Sequence, residues 1–134
     1  MSPGDHLLTL SVLDDRLAVC RLAPLNPGES PPVWSSVGDV FSITQTEDEL
    51  SVVCDEDAVP SEITSEPGWR CLKAHGPFEF SMVGVLASLA GPLAEAGISI
   101  FALSTYDTDY LLVKDEDLVS AIEVLSRRGH IILR

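Results

Sequence analysis

The stretch FALSTYDTDYLLVKDED, residues 101–117, sets Thr105, Tyr106, Asp107, Thr108 and Asp109 between two apolar runs. Such a cluster can do one of two things. It can form a solvated turn, because aspartate and threonine side chains hydrogen-bond their own backbone. It can also form a binding site, because carboxylates and hydroxyls together accept the hydrogen bonds of a ligand's ammonium or guanidinium. A second cluster, HGPFEFSMVG at 75–84, offers Gly76 for close backbone approach and Glu79 as a carboxylate. Ser81, Met82 and Val83 follow as a source of backbone N–H groups at a helix start, where the dipole favours an anion. His75 and Glu79 have the residue types of a general acid–base pair, but no nucleophile or third orienting group stands beside them. His6, His75 and His130 are far apart and lack metal-ligand spacing. Asp107 and Asp109 lack the regular oxygen-ligand spacing of a calcium loop. Catalysis and metal binding are therefore the poorer readings, and no cofactor is expected.

The elements that must position these residues follow from periodicity. GWRCLKAHGP reads as a strand ending at Gly76-Pro77. SMVGVLASLAGPLAEAG then places Met82, Val85, Leu86, Leu89, Leu93 and Ala96 at helical spacing over 81–96, with Ser81 as N-cap and Gly97 as C-cap. Pro92 lies inside that pattern and removes one backbone donor. ISIFALS and DYLLVK read as strands rich in branched and aromatic residues. DEDLVSAIEVLSRRG reads as a second helix, with acids in its first turn and Arg127 and Arg128 in its last, complementing the dipole at both ends. HIILR closes the pattern as a strand. The order β-α-β-β-α-β predicts an α+β, ferredoxin-like fold with a four-stranded antiparallel sheet and both helices on one face.

An internal repeat extends the pattern. Adding 60 to each number lays FSITQTEDELSVVCDEDAVPS, from Phe41, on FALSTYDTDYLLVKDEDLVSA, from Phe101, without a gap. The chain is therefore expected to hold two pseudo-repeated units, 1–66 and 67–134. PLNPGESPPVWSSVG is too proline-rich for more than a turn or two of helix, so the first unit is a reduced version. HLLTLSVLDDRLAVCRL adds an expected hairpin turning at Asp14-Asp15. In the 60-residue alignment Gln45 and Thr46 stand where the second copy has Thr105 and Tyr106, and Glu49 keeps the acid of Asp109. This leaves Thr105, Tyr106 and Asp109 as a set particular to the second copy.

The 134 residues carry a formal net charge of −13, which excludes nucleic acid and anionic membrane surfaces as favoured partners. No apolar run approaches the roughly 20 residues of a membrane span, and the start lacks the marks of a secretory signal. Cys20, Cys54 and Cys71 sit singly in strand-like runs, as reduced buried thiols do. A cytoplasmic protein is the expectation.

The run GVLASLAGPLAEAGISI resembles the helix, glycine and second strand of an ACT domain, a small-molecule-binding regulatory module of amino-acid metabolism. STYDTDYLLVKDEDLVSAI is similar to the regulatory domains of aspartate kinases, and closer still to the tandem-ACT arginine sensors of animal cytosol and their small bacterial relatives. The resemblance covers Gly68 to the C-terminus and, through the repeat, residues 16–62. It implies a non-catalytic protein that senses an amino acid bound at a domain or subunit interface. It implies ligand contact by Gly76 and Glu79, by backbone N–H groups near Ser81 and Met82, and by Thr105, Tyr106 and Asp109, which match a Thr-aromatic-x-x-Asp pattern. It also implies a homodimer or higher homo-oligomer. The alternative is an interaction module that oligomerises through its sheet edge without a small-molecule ligand.

Overall fold

A computed structural model of the chain describes residues 6–79 and 83–134. Two strands organise it: β1, Thr9–Leu22, and β4, Thr64–Ala74. Each passes from one structural unit to another. The larger unit takes the chain up to Asp14 and again from Arg70 to Arg134; the smaller is Asp15–Trp69. The boundary expected between residues 66 and 67 thus falls inside β4, and the residues before Asp15 pack with the C-terminal unit. The expected hairpin at Asp14-Asp15 is absent, because β1 continues through both residues as a single strand. A two-residue hairpin turn needs positive φ, which Gly and Asn supply readily, and here two aspartates stand in its place. On either side of the aspartates the strand turns residues to separate cores, Leu8, Leu10 and Val12 in the larger unit and Ala18, Cys20 and Leu22 in the smaller.

In the larger unit β4 leads to α1 (Val85–Glu95), β5 (Ile100–Ser104) and β6 (Asp109–Lys114). A 3-10 turn at Asp115–Asp117 then opens α2 (Leu118–Arg127), and β7 (Ile131–Leu133) follows. The β-α-β-β-α-β order is as the sequence predicts. The strand order is β7-β1-β4-β6-β5. The β5–β6 hairpin runs antiparallel from Ile100↔Val113 to Ser104↔Asp109. The four-stranded expectation is corrected here: β7 does not lie beside β4 but parallel to β1, in register Thr9↔Ile131 to Ser11↔Leu133. The N-terminal strand fills that place because it brings Leu8 and Leu10 to the core. Those residues join Leu72, Ala74, Leu111 and Val113 of the sheet against Val85, Leu89 and Leu93 of α1 and Ala121 and Leu125 of α2. Both helices therefore cover one face. Each buried leucine contributes about 1.5–3 kcal/mol.

Both helices stop as their glycines imply. Gly97 has φ 75° and Gly129 has φ 97°. Gly97 N donates to Ala94 O and Ile98 N to Leu93 O, while Gly129 N donates to Ser126 O and His130 N to Leu125 O. These are paired Schellman closures. Pro92 does remove a donor, and the structure reuses the freed acceptor. In a regular helix the N–H of residue 92 would bond Ser88 O. Instead the Nε2 of buried His130 reaches Ser88 O at 3.1 Å. His130 Nδ1 accepts the Leu8 N–H at 3.1 Å, so the ring proton sits on Nε2. The Ser88 hydroxyl accepts His6 N at 3.0 Å and donates to Gly84 O at 2.8 Å. His130 thereby joins the start of β1 to α1.

In the smaller unit β3 (Leu50–Asp55) pairs antiparallel with β1, from Leu17↔Asp55 to Leu22↔Leu50, and with β2 (Ser42–Gln45), from Ser42↔Val53 to Gln45↔Leu50. Its helical elements are 3-10 turns at Val33–Ser36 and Glu56–Ala58, the reduction that its prolines predict. Ala18, Cys20, Leu50, Val52 and Cys54 form its buried core. The strands and turn of the two units recur at 59 residues, not 60: β3 and β6 are 50–55 and 109–114, and the following 3-10 turns are 56–58 and 115–117. The two DED runs stand 60 apart, so the spacing of the elements and that of the identical residues differ by one, a slip that exchanges the faces of a strand.

Burial pushes the Cys54 thiol up to about 11, with the neighbouring Cys20 adding in the same direction. Burial also raises Cys20, opposed by its hydrogen bond with Cys54. A thiol whose folded value lies above its unfolded one stabilises the fold fully below the ordinary value and loses that contribution as pH rises through the folded value. Urea unfolding between pH 8 and 11 should therefore show stability falling more steeply in the native chain than in Cys54→Ala. A second test concerns the His130 junction. His130→Leu leaves Leu8 N and Ser88 O without partners and should cost about 2 kcal/mol or more. Adding Pro92→Ala should recover part of that loss by restoring a helical donor to Ser88 O, a non-additivity that a double-mutant cycle reads directly.

Candidate functional site

The loop after β4 and the β5–β6 turn meet at one end of the larger unit. Gly76 makes the meeting possible. A Cβ there would stand 2.7 Å from the backbone oxygen of Asp107 and 3.2 Å from Thr108 Cβ. Phe78 N donates to Asp107 O at 2.8 Å, and the buried Thr108 hydroxyl donates to Ala74 O at 2.7 Å. The Gly76-Pro77 peptide between these ties is cis. The close approach expected of Gly76 is therefore found, and its neighbour is the turn.

The junction encloses a cleft of about 250 Å³, lined by Phe78, Glu79, Val85, Ser104, Thr105, Tyr106, Asp107, Thr108 and Asp109. That is below the roughly 300–1,000 Å³ of drug-sized sites and suits a small metabolite. Glu79, Thr105, Tyr106 and Asp109, singled out from two separate stretches of sequence, share its wall. Gly76 lies on the other side of the turn, in an adjoining hollow of about 190 Å³ with Lys73, Pro77 and Tyr110. Ser81 and Met82, including the N-cap expected at Ser81, fall outside the described residues. In the described part the helix starts at Val85, after Gly84 at φ 82°, with no side-chain cap.

The lining carries three carboxylates, Glu79, Asp107 and Asp109, and no lysine, arginine or histidine among its described residues. Its field favours a cationic group. Asp109 is half-buried and accepts a 2.6 Å hydrogen bond from the Ser104 hydroxyl, which fixes one carboxylate oxygen. Tyr106 is 78% exposed at the rim. Phe78 and Val85 supply apolar wall. Sequence reading missed Ser104, Phe78 and Val85. Ser104 sits directly across from Asp109 in the hairpin register, a signal available once that register is known.

Thr105 has an internal task. Its N–H donates to Thr108 O at 2.9 Å, and its hydroxyl accepts from Thr108 N and donates to Thr108 O. Thr46 closes the β2–β3 turn alike: its N–H donates to Glu49 O at 2.9 Å, and its hydroxyl accepts from Asp48 N and Glu49 N. Thr46 and Thr105 are 59 residues apart. Thr105 is thus not peculiar to the second copy, as the 60-residue alignment implied. At that spacing Glu47 stands opposite Tyr106 and Leu50 opposite Asp109, so Tyr106 and Asp109 are the residues particular to the larger unit. Among the described residues no group of three or more histidines, cysteines or acids is placed to hold a metal ion.

Residues 64–127 match the ACT domain family, and residues 15–62 match a family described only as an N-terminal domain. The ACT match accounts for residues 64–127, just under half of the chain. The human cytosolic arginine sensor for mTORC1, subunit 1, is 36% identical over 126 residues. That alignment takes in 88% of this chain but 38% of the sensor, so the chain spans well under half the length of the curated relatives it matches. A crystal structure of a protein from Agobacterium tumefaciens superposes with TM-score 0.86 at 39% identity, over 96% of this chain and 93% of that one. The regulatory subunit of aspartate kinase from Thermus thermophilus shares the fold, with TM-score 0.63 at 12% identity, over 93% of this chain and 100% of that one. The ACT resemblance read from the sequence is thereby established. No helix among the described residues is long and apolar enough to cross a membrane.

In this ACT unit, Gly76→Ala must push the loop away from Asp107 O. It should cost about 1–3 kcal/mol in urea unfolding and shift the amide resonances of Phe78, Asp107 and Thr108. A variant with native stability and unmoved resonances would show that the approach tolerates a side chain.

Proposed function

We propose that this protein is a non-catalytic, cytoplasmic regulatory ACT protein that binds an amino acid with a cationic side chain in the cleft between Glu79 and Asp109. The observation that carries the reading is the cleft's charge: three carboxylates with no basic residue among the described lining. An ammonium or guanidinium is costly to desolvate unless paired, and Asp109, held by Ser104, offers a fixed acceptor. Glu79 supplies a second carboxylate, Tyr106 a ring at the rim, and Gly76 holds the two loops together. Ser81 and Met82 would give backbone N–H groups to the ligand carboxylate, and Thr105 would keep the turn closed beneath it. The relatives named as arginine sensors support an amino acid of this kind.

In this reading the two units are versions of one ancestral unit related by a 59-residue step, the first having lost its helices. The ligand lies where the cleft meets a partner domain or subunit, in a homodimer or higher homo-oligomer. Ligand then acts by favouring the arrangement that binds it more tightly. A second reading rests on β7, an edge strand with Ile131 58% and Leu133 46% exposed: association through that edge with no ligand at all.

Thermal-shift and calorimetric screening against the common amino acids separates the two. Arginine or lysine should raise the melting temperature in proportion to occupancy, and Asp109→Ala should weaken binding about tenfold or more while unfolding stays cooperative. No shift with any amino acid leaves the edge-association reading. Undiminished affinity in Asp109→Ala removes that residue from the site.

A further inference from the structure

The loop that carries Glu79 is tied near both ends to the start of the chain, each time through a histidine. At one end His75 N donates to Thr9 O at 2.9 Å, and His75 Nε2 lies 2.5 Å from the Ser11 hydroxyl. At the other end Val83 O stands 2.6 Å from His6 Nε2. A carbonyl only accepts, so this imidazole nitrogen carries the proton and donates it. The two histidine contacts bridge 64 and 77 residues of sequence, yet both lead back to residues 6–11. Glu79 stands midway, four residues from His75 and four from Val83.

Neither histidine lines the acidic cleft, and both side-chain contacts are solvent-exposed. Water replaces an exposed hydrogen bond readily, so such contacts add little to global stability. What they fix is position. The start of α1 needs that, because Gly84 precedes it at φ 82° with no side-chain cap. His6 holds the chain on both sides of Gly84, at Val83 O through its ring and at Ser88 Oγ through its own N–H at 3.0 Å. Val85, which forms part of the cleft wall, lies between those two points.

We propose that His6 and His75 are positioning residues of the acidic cleft: by holding Val83 and Ser11 they set where Glu79 and Val85 stand relative to Asp109. This rests on the reading of the cleft as a site for a cationic amino acid, and adds to it a determinant of affinity outside the cleft's own lining. The β5–β6 turn closes itself through Thr105 and Thr108, whereas the opposite wall borrows its ties from the N-terminal strand. A binding site loses affinity when the groups supporting its contacts are left loose, so the segment leading into β1 acts as a strap on the Glu79 side.

The test combines calorimetry with arginine and lysine and amide spectra of the ligand-free full chain. His6→Ala and His75→Ala should each weaken binding about fivefold while the urea midpoint stays close to native. Before any ligand is added, both should shift the amide resonances of Glu79 and Val85. His6→Gln and His75→Gln place a side-chain amide near the lost Nε2 and should restore most of the affinity, a rescue that ties the effect to the hydrogen bond. A native chain that binds no cationic amino acid removes the reading of the cleft. The ligand-free spectra then judge the strap alone: shifted Glu79 and Val85 resonances uphold it, and unmoved ones overturn it. Where the native chain does bind, undiminished affinity in both alanine variants, or a loss that neither glutamine variant relieves, overturns the proposal.

Discussion

The larger unit depends on one displaced hydrogen bond. Pro92 has no N–H, so the carbonyl of Ser88, on the buried face of α1, is left without its usual helical donor. An unpaired acceptor there is unfavourable, and His130 removes the deficit through Nε2. Having spent its proton on α1, the ring presents Nδ1 as an acceptor, which Leu8 N–H occupies. A helix defect is thereby converted into a junction of α1, the residue that opens β7 and the start of β1. It holds the N-terminal strand in the sheet, so that Leu8 and Leu10 complete the core. The placement of α1, and of Val85 in the acidic cleft, follows from the same contact.

The candidate site rests on a second constraint of the same kind, an exclusion of volume at Gly76. Backbone meets backbone only because no Cβ intervenes, and Phe78 and Thr108 then pair with Asp107 O and Ala74 O. The acidic side chains are carried to the cleft by a scaffold whose own polar groups are already satisfied. That frees Asp109 and Glu79 for another partner. It also separates residues that build the turn, such as Thr105 and Thr108, from those whose charge faces the cleft.

Much of the fold was legible in the sequence where local physics decides. α2 announced itself by acids before its first turn and arginines in its last, and Gly97 and Gly129 stand where the Schellman closures need positive φ. The proline-rich stretch at 24–38 forbade a long helix, and a 3-10 turn is what formed. Three readings went astray where the deciding interactions are non-local. Two aspartates looked like a hairpin turn, but the runs on either side pair with different strands and continue as one strand, β1. A four-stranded antiparallel sheet was expected, yet β1 joins it as a further strand and pairs parallel with β7, Thr9 against Ile131, more than a hundred positions away. Identical DED runs suggested a spacing of 60, whereas β3 and β6 and the 3-10 turns after them stand 59 residues apart.

The sequence by itself determined the order of elements, the positions of their ends and the presence of an acidic, hydroxyl-rich loop pair, because propensity, capping and alternation act over a few residues. Tertiary structure alone decided what each polar residue does with its hydrogen bonds. Thr105 and Asp109 are chemically alike in being turn-compatible polar residues four positions apart. The first closes its own turn and the second lines a cleft beside Ser104. A side chain's partners are set by which strands and loops come to rest within about 3 Å of it, and that distance is fixed by the packing of the whole unit.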